Sequence, residues 1–306
     1  MDMATKRTAF AVAALVACAA FGGCGPSSLA PGKILAVAAE NEYANVISQI
    51  GGRYVNVTGI MSNPNTDPHE FEANAQVVAE VSRAELIVQN GVGYDSFMNK
   101  IEAASHPAGR QVIVAQTLLH VPSDAFNPHL WYNPATMPAV AKAVAGSLAR
   151  FLPADTVYFH ANLGHFDRSL LAWSSALALF KREHPDVPVA VTEPVADYTL
   201  QAAGARIMTP RSLQSAIMNG TDPSPQDIST ETALLSKHRV KVFVYNQQVT
   251  DSLTETFLSV ARRSGVPVVG VYETMPTPGF DYQSWMTAEL SALQRAIARG
   301  TSTEKL

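Results

Sequence analysis

Cysteine is almost missing from this chain: 306 residues hold two, Cys18 and Cys24, both within the first two dozen positions. Everything after them is without a disulfide, a thiolate metal ligand or a cysteine nucleophile. Basic character is missing as well. With 22 Lys and Arg against 26 Asp and Glu the net charge is −4, and no basic stripe interleaves with the few aromatic residues. That excludes the electrostatic footprint of a nucleic-acid binder. No low-complexity tract occurs, and no apolar run after the first residues reaches transmembrane length. An HExxH helix and an oxyanion constellation, the usual marks of a zinc hydrolase, are also lacking.

What is present begins at the N-terminus. Lys6 and Arg7 precede a small, apolar run from Ala9 to Phe21. Such a run is short for a membrane span and sits where a signal peptide belongs. Residues 1–23 read as a signal peptide with a lipobox. Two cysteines compete for the lipid: Leu15-Val16-Ala17-Cys18 matches the lipobox pattern better, whereas Cys24 is followed by the more flexible Gly25-Pro26-Ser27-Ser28 tether. Cys24 is the preferred site. The mature protein is then expected outside the cytoplasm, soluble but lipid-anchored to the membrane.

From Lys33 onward, short β-branched runs alternate with helix-length segments, the pattern of βαβ units and parallel sheets. The first series has strands at 34–39, 54–61, 85–89 and 111–115; the second has strands at 187–192, 205–208, 240–245 and 266–271. Between the two, Phe159, Leu163, Phe166, Leu170, Trp173, Leu177 and Phe180 recur at steps of four and three. Pro153 precedes this stretch and Pro185 ends it. One apolar stripe on a helix of roughly 45 Å follows, at about 1.5 Å per residue. A coiled coil would want charge pairs flanking such a stripe, and these are absent. The expected fold class is α/β: two parallel-sheet lobes (33–152 and 186–300) joined by one long rigid helix (153–185), with a site at the lobe interface.

Four positions are candidates for chemistry. His69 lies in Asn65-Thr66-Asp67-Pro68-His69-Glu70-Phe71, a proline-stiffened loop between a strand and a helix. His129 lies in Asn127-Pro128-His129-Leu130-Trp131, a second Pro-His loop leading to a helix. Taken singly, a loop histidine is more often a surface residue than a ligand. Glu193 and Glu273 each follow a buried strand, where a carboxylate either caps the next helix or points into the crevice beyond the strand ends. Two imidazoles facing two carboxylates make a charge-balanced N/O site for a dication. Tyr245-Asn246-Gln247, ending another strand, is placed to hydrogen-bond a ligand carboxylate.

These motifs together resemble the metal-binding receptors of bacterial zinc, manganese and iron ABC importers. The resemblance covers essentially the whole chain after the leader and includes the lipoprotein-like start, Asp67-Pro68-His69-Glu70-Phe71, the Asn90-Gly91-Val92-Gly93 turn, Asn127-Pro128-His129-Leu130-Trp131 and the long central helix. It implies metal ligation by His69, His129, Glu193 and Glu273. It implies no catalysis, one divalent ion as cargo (Mn2+ or Zn2+, or Fe2+), and a monomer that docks on an importer's membrane permease and, through it, its ATPase. The fourth ligand, Asp in that family, is Glu273 here, so its carboxylate reaches one methylene further. The third is His in typical zinc receptors and Glu in manganese or iron receptors; here it is Glu193. The His-rich loop of the zinc branch is replaced by a segment, 118–126, holding only His120. By donor type alone, manganese or ferrous iron is favoured.

Two rival functions remain in view. A metal-dependent hydrolase would need three ligands, a metal-bound water and a base such as Glu70 or Asp67. A surface adhesin would use the same fold with a structural metal. The other histidines read as ordinary: His120 as a surface residue rather than an accessory ligand, His160 and His165 as solvated positions off the helix stripe, and His106, His184 and His238 at element ends. Asp222 sits in a turn-rich loop, 219–225, and reads as a loop residue rather than a ligand.

Overall fold

A computed structural model describes residues 32–105 and 107–306. The leader at 1–23, both cysteines and His106 lie outside the described residues.

In the first half the order is β1 (Ile34–Glu40), α1 (Asn41–Gly51), β2 (Val55–Met61), α2 (Ala75–Arg83), β3 (Leu86–Gln89), α3 (Ser96–Ala104), β4 (Gln111–Val114), α4 (Ala115–Leu118) and α5 (Thr136–Phe151). Two consecutive helices follow, α6 (Thr156–Ser169) and α7 (Leu171–Glu183). The second half has β5 (Pro188–Val191), α8 (Asp197–Ala202), β6 (Arg206–Ile207), α9 (Arg211–Met218), α10 (Pro225–Ser236), β7 (Val242–Asn246), α11 (Ser252–Arg263), β8 (Val268–Val271) and α12 (Tyr282–Arg299).

Each half forms a four-stranded parallel sheet, ordered β2-β1-β3-β4 and β6-β5-β7-β8. The two orders correspond strand for strand. In both, the order reverses beside the first strand, and such a switch point opens a crevice at the strand C-termini. Helices cover both faces; β3, β7 and β8 have every residue buried, while β2, β4 and β6 are partly exposed.

The central stripe lies where the spacing places it. Phe159, Phe166, Leu170, Trp173, Leu177 and Phe180 are buried in one core that also takes in Trp131, Tyr132, Tyr282 and Trp285. α6 packs on α1 and α5, and α7 on α12 and α8, so one spine serves both halves. It is not perfectly regular. At Leu170 the backbone stays right-handed helical, but the spine is divided there into its two segments. A groove of about 480 Å³ lined by Pro134, Pro138 and Leu171 lies beside this step.

Short side-chain bridges fasten the two halves along α1. Asn41 donates to the Met275 carbonyl (2.9 Å) and accepts from its N–H (3.0 Å), Asn45 accepts from the Tyr282 N–H, and Gln49 pairs with Gln283. Tyr282 Oη donates to the Trp131 carbonyl, 2.7 Å away.

The last residues close the edge of the second sheet. Thr303 bridges Val269 in parallel fashion, Gly270 N–H donates to Thr303 C=O (2.8 Å), and Arg262 pairs with Glu304. A Cβ at position 270 would stand 1.8 Å from the Glu304 carbonyl oxygen, so only glycine permits this approach. Gly270→Ala is expected to displace the C-terminal segment and lower stability by about 1–3 kcal/mol, the usual cost of overpacking. Thermal melting and loss of exchange protection at the Gly270 amide measure it; an unchanged melt would show that the segment contributes nothing.

Candidate metal centre

β2 and β4 send their following segments, and β5 and β8 their C-terminal tips, to one crevice. His69 follows β2 in a single 3-10 turn, Pro68–Glu70, whose first residue is proline and whose cap is Asp67. Asp67 Oδ1 accepts from the His69 N–H at 2.8 Å. Asp67 is therefore engaged in building the turn, and Glu70 is exposed, so neither has the placement of a hydrolytic base.

His129 is fully buried. Asn127 Oδ1 accepts from both its backbone N–H (2.9 Å) and its ring Nδ1 (2.8 Å). The Asn127 amide is itself oriented by Nδ2 donating to the Pro194 carbonyl at 2.6 Å. With Nδ1 bearing the proton, Nε2 presents its lone pair to the crevice. Trp131 and Tyr94 pack edge-on against this ring at centroid distances of 5.3 and 5.7 Å.

Glu273 stands two residues beyond β8 and is buried. Its Oε2 lies 3.2 Å from His129 Nε2 and 3.4 Å from His69 Nε2. One ligand atom from each of His69, His129 and Glu273 falls within 4.8 Å of the others. Glu193, two residues beyond β5, lies outside that three-membered group. Its Oε2 is 3.7 Å from His69 Nε2, an ion-pair contact rather than a hydrogen bond, and that buried oxygen has no hydrogen-bond partner. An orphaned carboxylate oxygen is costly unless a proton or cation meets it.

The charges fit the same picture. Burial lowers the His69 imidazole, but the Glu193 contact and the Glu273 charge outweigh it and hold it up at about 9. Burial and the Glu273 charge raise the Glu193 carboxyl to about 7, against the opposing pull of His69 and Asn246. For Glu273 burial acts upward, yet His129, His69 and Tyr94 overcome it and bring the carboxyl down to about 2. Burial keeps His129 below its ordinary value. The centre thus joins two neutralisable nitrogens to two carboxylates. It contains no nucleophile, and a cation is the ligand such a donor set takes. His69, 26% exposed in its side chain, borders a cavity of about 360 Å³ lined also by Met61, Phe71, Phe126 and Met218.

Asn246 does hydrogen-bond the carboxylates, as its strand-end position suggests. Two further residues carried no sequence signal strong enough to single them out. Tyr94 Oη donates to Glu273 Oε2 (2.8 Å), and Gln248 Oε1 accepts from the Glu273 and Thr274 N–H groups while its Nε2 donates to the Thr66 carbonyl. Tyr94 follows a strained turn in which the β-branched Val92 has φ +54° and Gly91 φ +85°. Asp95 and Gln116 accept the turn's N–H groups and hold it. The Gly-Val-Gly sequence was the available clue. Among the described residues the other histidines stay apart: His120, His160, His165 and His238 are exposed, His184 is half-buried, and Asp222 is exposed.

The family described as zinc-uptake complex component A, periplasmic (ZnuA), matches residues 37–296. The chain belongs to this family. Its members are the divalent-metal-binding components of ABC importers and not enzymes. The zinc-binding protein TroA of Treponema pallidum is 30% identical over 135 residues, a stretch that spans less than half of either chain (42% of this one, 44% of TroA). The manganese-binding lipoprotein MntA of Bacillus subtilis is 21% identical over 274 residues, covering 85% of this chain and 87% of MntA. The structure of periplasmic TroA aligns with a TM-score of 0.73 at 20% identity, over 88% of this chain and all of that one. The manganese complex of FpvC from Pseudomonas aeruginosa gives 0.69 at 23% identity, over 87% and 98%. These likenesses establish the two-sheet, central-helix fold.

Proposed function

We propose that this chain captures one divalent first-row metal ion with His69, His129, Glu193 and Glu273 and delivers it to an ABC importer's membrane permease, through which it meets the ATPase. The observation that supports the ligand set most is the convergence of two histidine Nε2 atoms and Glu273 Oε2 within 4.8 Å, with the partnerless Oε2 of Glu193 beside them. Four protein ligands leave no open position of the kind a hydrolytic metal needs for its water. Zinc and manganese, named for the relatives TroA and MntA, are the candidate cargoes, with ferrous iron the third metal the donor set accepts.

The working form is a lipid-anchored monomer outside the cytoplasm, held through Cys24, with Cys18 the alternative. The family's description as periplasmic and the lipoprotein relatives support this. Release proceeds by small rotations and loosening of the His69 loop rather than wide opening. The shared spine and the α1 bridges resist separation, whereas the loop is tied across by the His69 contacts and by the Gln248 hydrogen bond to the Thr66 carbonyl.

Elemental analysis and competitive chelator titration of the purified protein test this. One tightly held ion per chain is expected, with no metal-dependent hydrolysis. Absence of specific first-row metal binding, or turnover that depends on the metal, overturns the proposal.

A further inference from the structure

We propose that Asn246 restricts both carboxylates to one donor oxygen each, so that the centre offers a four-coordinate shell and takes zinc in preference to manganese. This rests on the ligand set proposed above. Asn246, 1% exposed, ends β7 between the strands whose tips bear the two glutamates. Its Nδ2 donates to Glu193 Oε1 (3.0 Å) and to Glu273 Oε1 (2.7 Å). An amide nitrogen has two protons, and both are thereby used. The amide cannot be turned over without loss, because its Oδ1 accepts from the Gln248 N–H at 3.0 Å.

One side chain therefore clamps the Oε1 atoms of both carboxylates and leaves both Oε2 atoms towards the histidines. Glu273 Oε2 faces both imidazoles, and Glu193 Oε2 faces His69 and has no hydrogen bond. Each Oε1 keeps a second lone pair, so the clamp opposes bidentate binding rather than forbidding it: swinging Oε1 round to the ion draws it away from the Nδ2–H that holds it. Two nitrogens and two single oxygens satisfy zinc, whose protein sites are overwhelmingly tetrahedral. Manganese favours octahedral oxygen-rich shells and also stands below zinc in intrinsic affinity. Donor type alone favours manganese through Glu193; the number of donors that Asn246 permits reverses that preference.

The test compares Zn2+ and Mn2+ affinities of the wild type, Asn246→Ser and Asn246→Ala by competitive titration, with zinc-edge X-ray absorption on the zinc-loaded wild type. Loss of a group that orients ligands typically costs about 10–100-fold in metal affinity. Zinc binding by Asn246→Ala should weaken by that factor and manganese binding by less, so the zinc-to-manganese ratio falls at least about tenfold. Serine, with one proton to donate, should fall between. The absorption spectrum should show four N/O neighbours. Equal losses for both metals would make Asn246 a merely structural residue, and five or six neighbours in the wild type would refute the clamp even if the variants fail to fold. Absence of binding by the wild type to either metal would instead refute the ligand set itself.

Discussion

His129→Ala is expected to abolish useful metal binding, weakening it by well over a hundredfold, since loss of an orienting group alone costs about 10–100-fold. The effect has two physical parts. A nitrogen donor is lost, and the imidazole packed 3.2 Å from the buried Glu273 carboxylate goes with it. Removing one partner of a full buried ion pair costs about 3–5 kcal/mol, and His129, which burial keeps neutral, is less than a full partner. Here Tyr94 and Asn246 still hydrogen-bond Glu273, so the metal-free protein should lose less than that. His69→Ala separates the two parts. It removes a donor of similar worth, but from a partly exposed turn, so affinity should collapse with a smaller change in melting temperature. His120→Ala, at an exposed histidine outside the cluster, should change neither. Chelator competition and thermal melts of the three variants measure this; near-native affinity in His129→Ala would remove the centre from consideration.

Acid should release the metal steeply. With the ligand set proposed above, binding requires a neutral His69 and an ionised Glu193, and the metal-free protein holds these groups at about 9 and about 7. At pH 7 His69 bears a proton and Glu193 about half of one, so uptake should expel between one and two protons. Affinity should fall about tenfold per pH unit between 9 and 7, and about a hundredfold per unit below 7. From pH 7 to 5 the loss approaches about four orders of magnitude. Calorimetry in buffers of different ionisation enthalpy counts the protons; fewer than one at pH 7 would contradict the assignment.

The stability of the metal-free chain should run the other way. His69 is raised above its unfolded value, so its contribution is complete below about 6.5 and is lost as pH rises through about 9. Glu273 is depressed, so its contribution is present above about 4.5 and is lost as pH falls through about 2. Glu42, Glu231 and Glu289 are raised by burial to about 8, and each therefore loses stabilising effect as pH climbs from about 4.5 towards 8. The pH that favours loading is thus one at which the metal-free protein is less stable, and bound metal makes up the difference by mass action.

Much of this was legible in one dimension. Helix periodicity reports burial directly, which is why the stripe from Phe159 to Phe180 could be placed residue by residue before any packing was known. Strand runs of β-branched residues likewise announced two parallel sheets. The division of the spine at Leu170 was not legible, because nothing in the sequence there breaks a helix. Nor was α9, Arg211–Met218, whose eight residues are too few to assert a period.

The scarcity of cysteine and the four candidate residues His69, His129, Glu193 and Glu273 already determined the chemistry on offer: imidazole and carboxylate, without thiolate. Residue type and spacing suffice for that. The tertiary structure alone decided which oxygens of those carboxylates are free, that Tyr94 and Gln248 reach Glu273, and that one Asn246 amide meets both glutamates. These depend on side-chain directions converging from segments as far as 179 residues apart, and local sequence does not encode such directions.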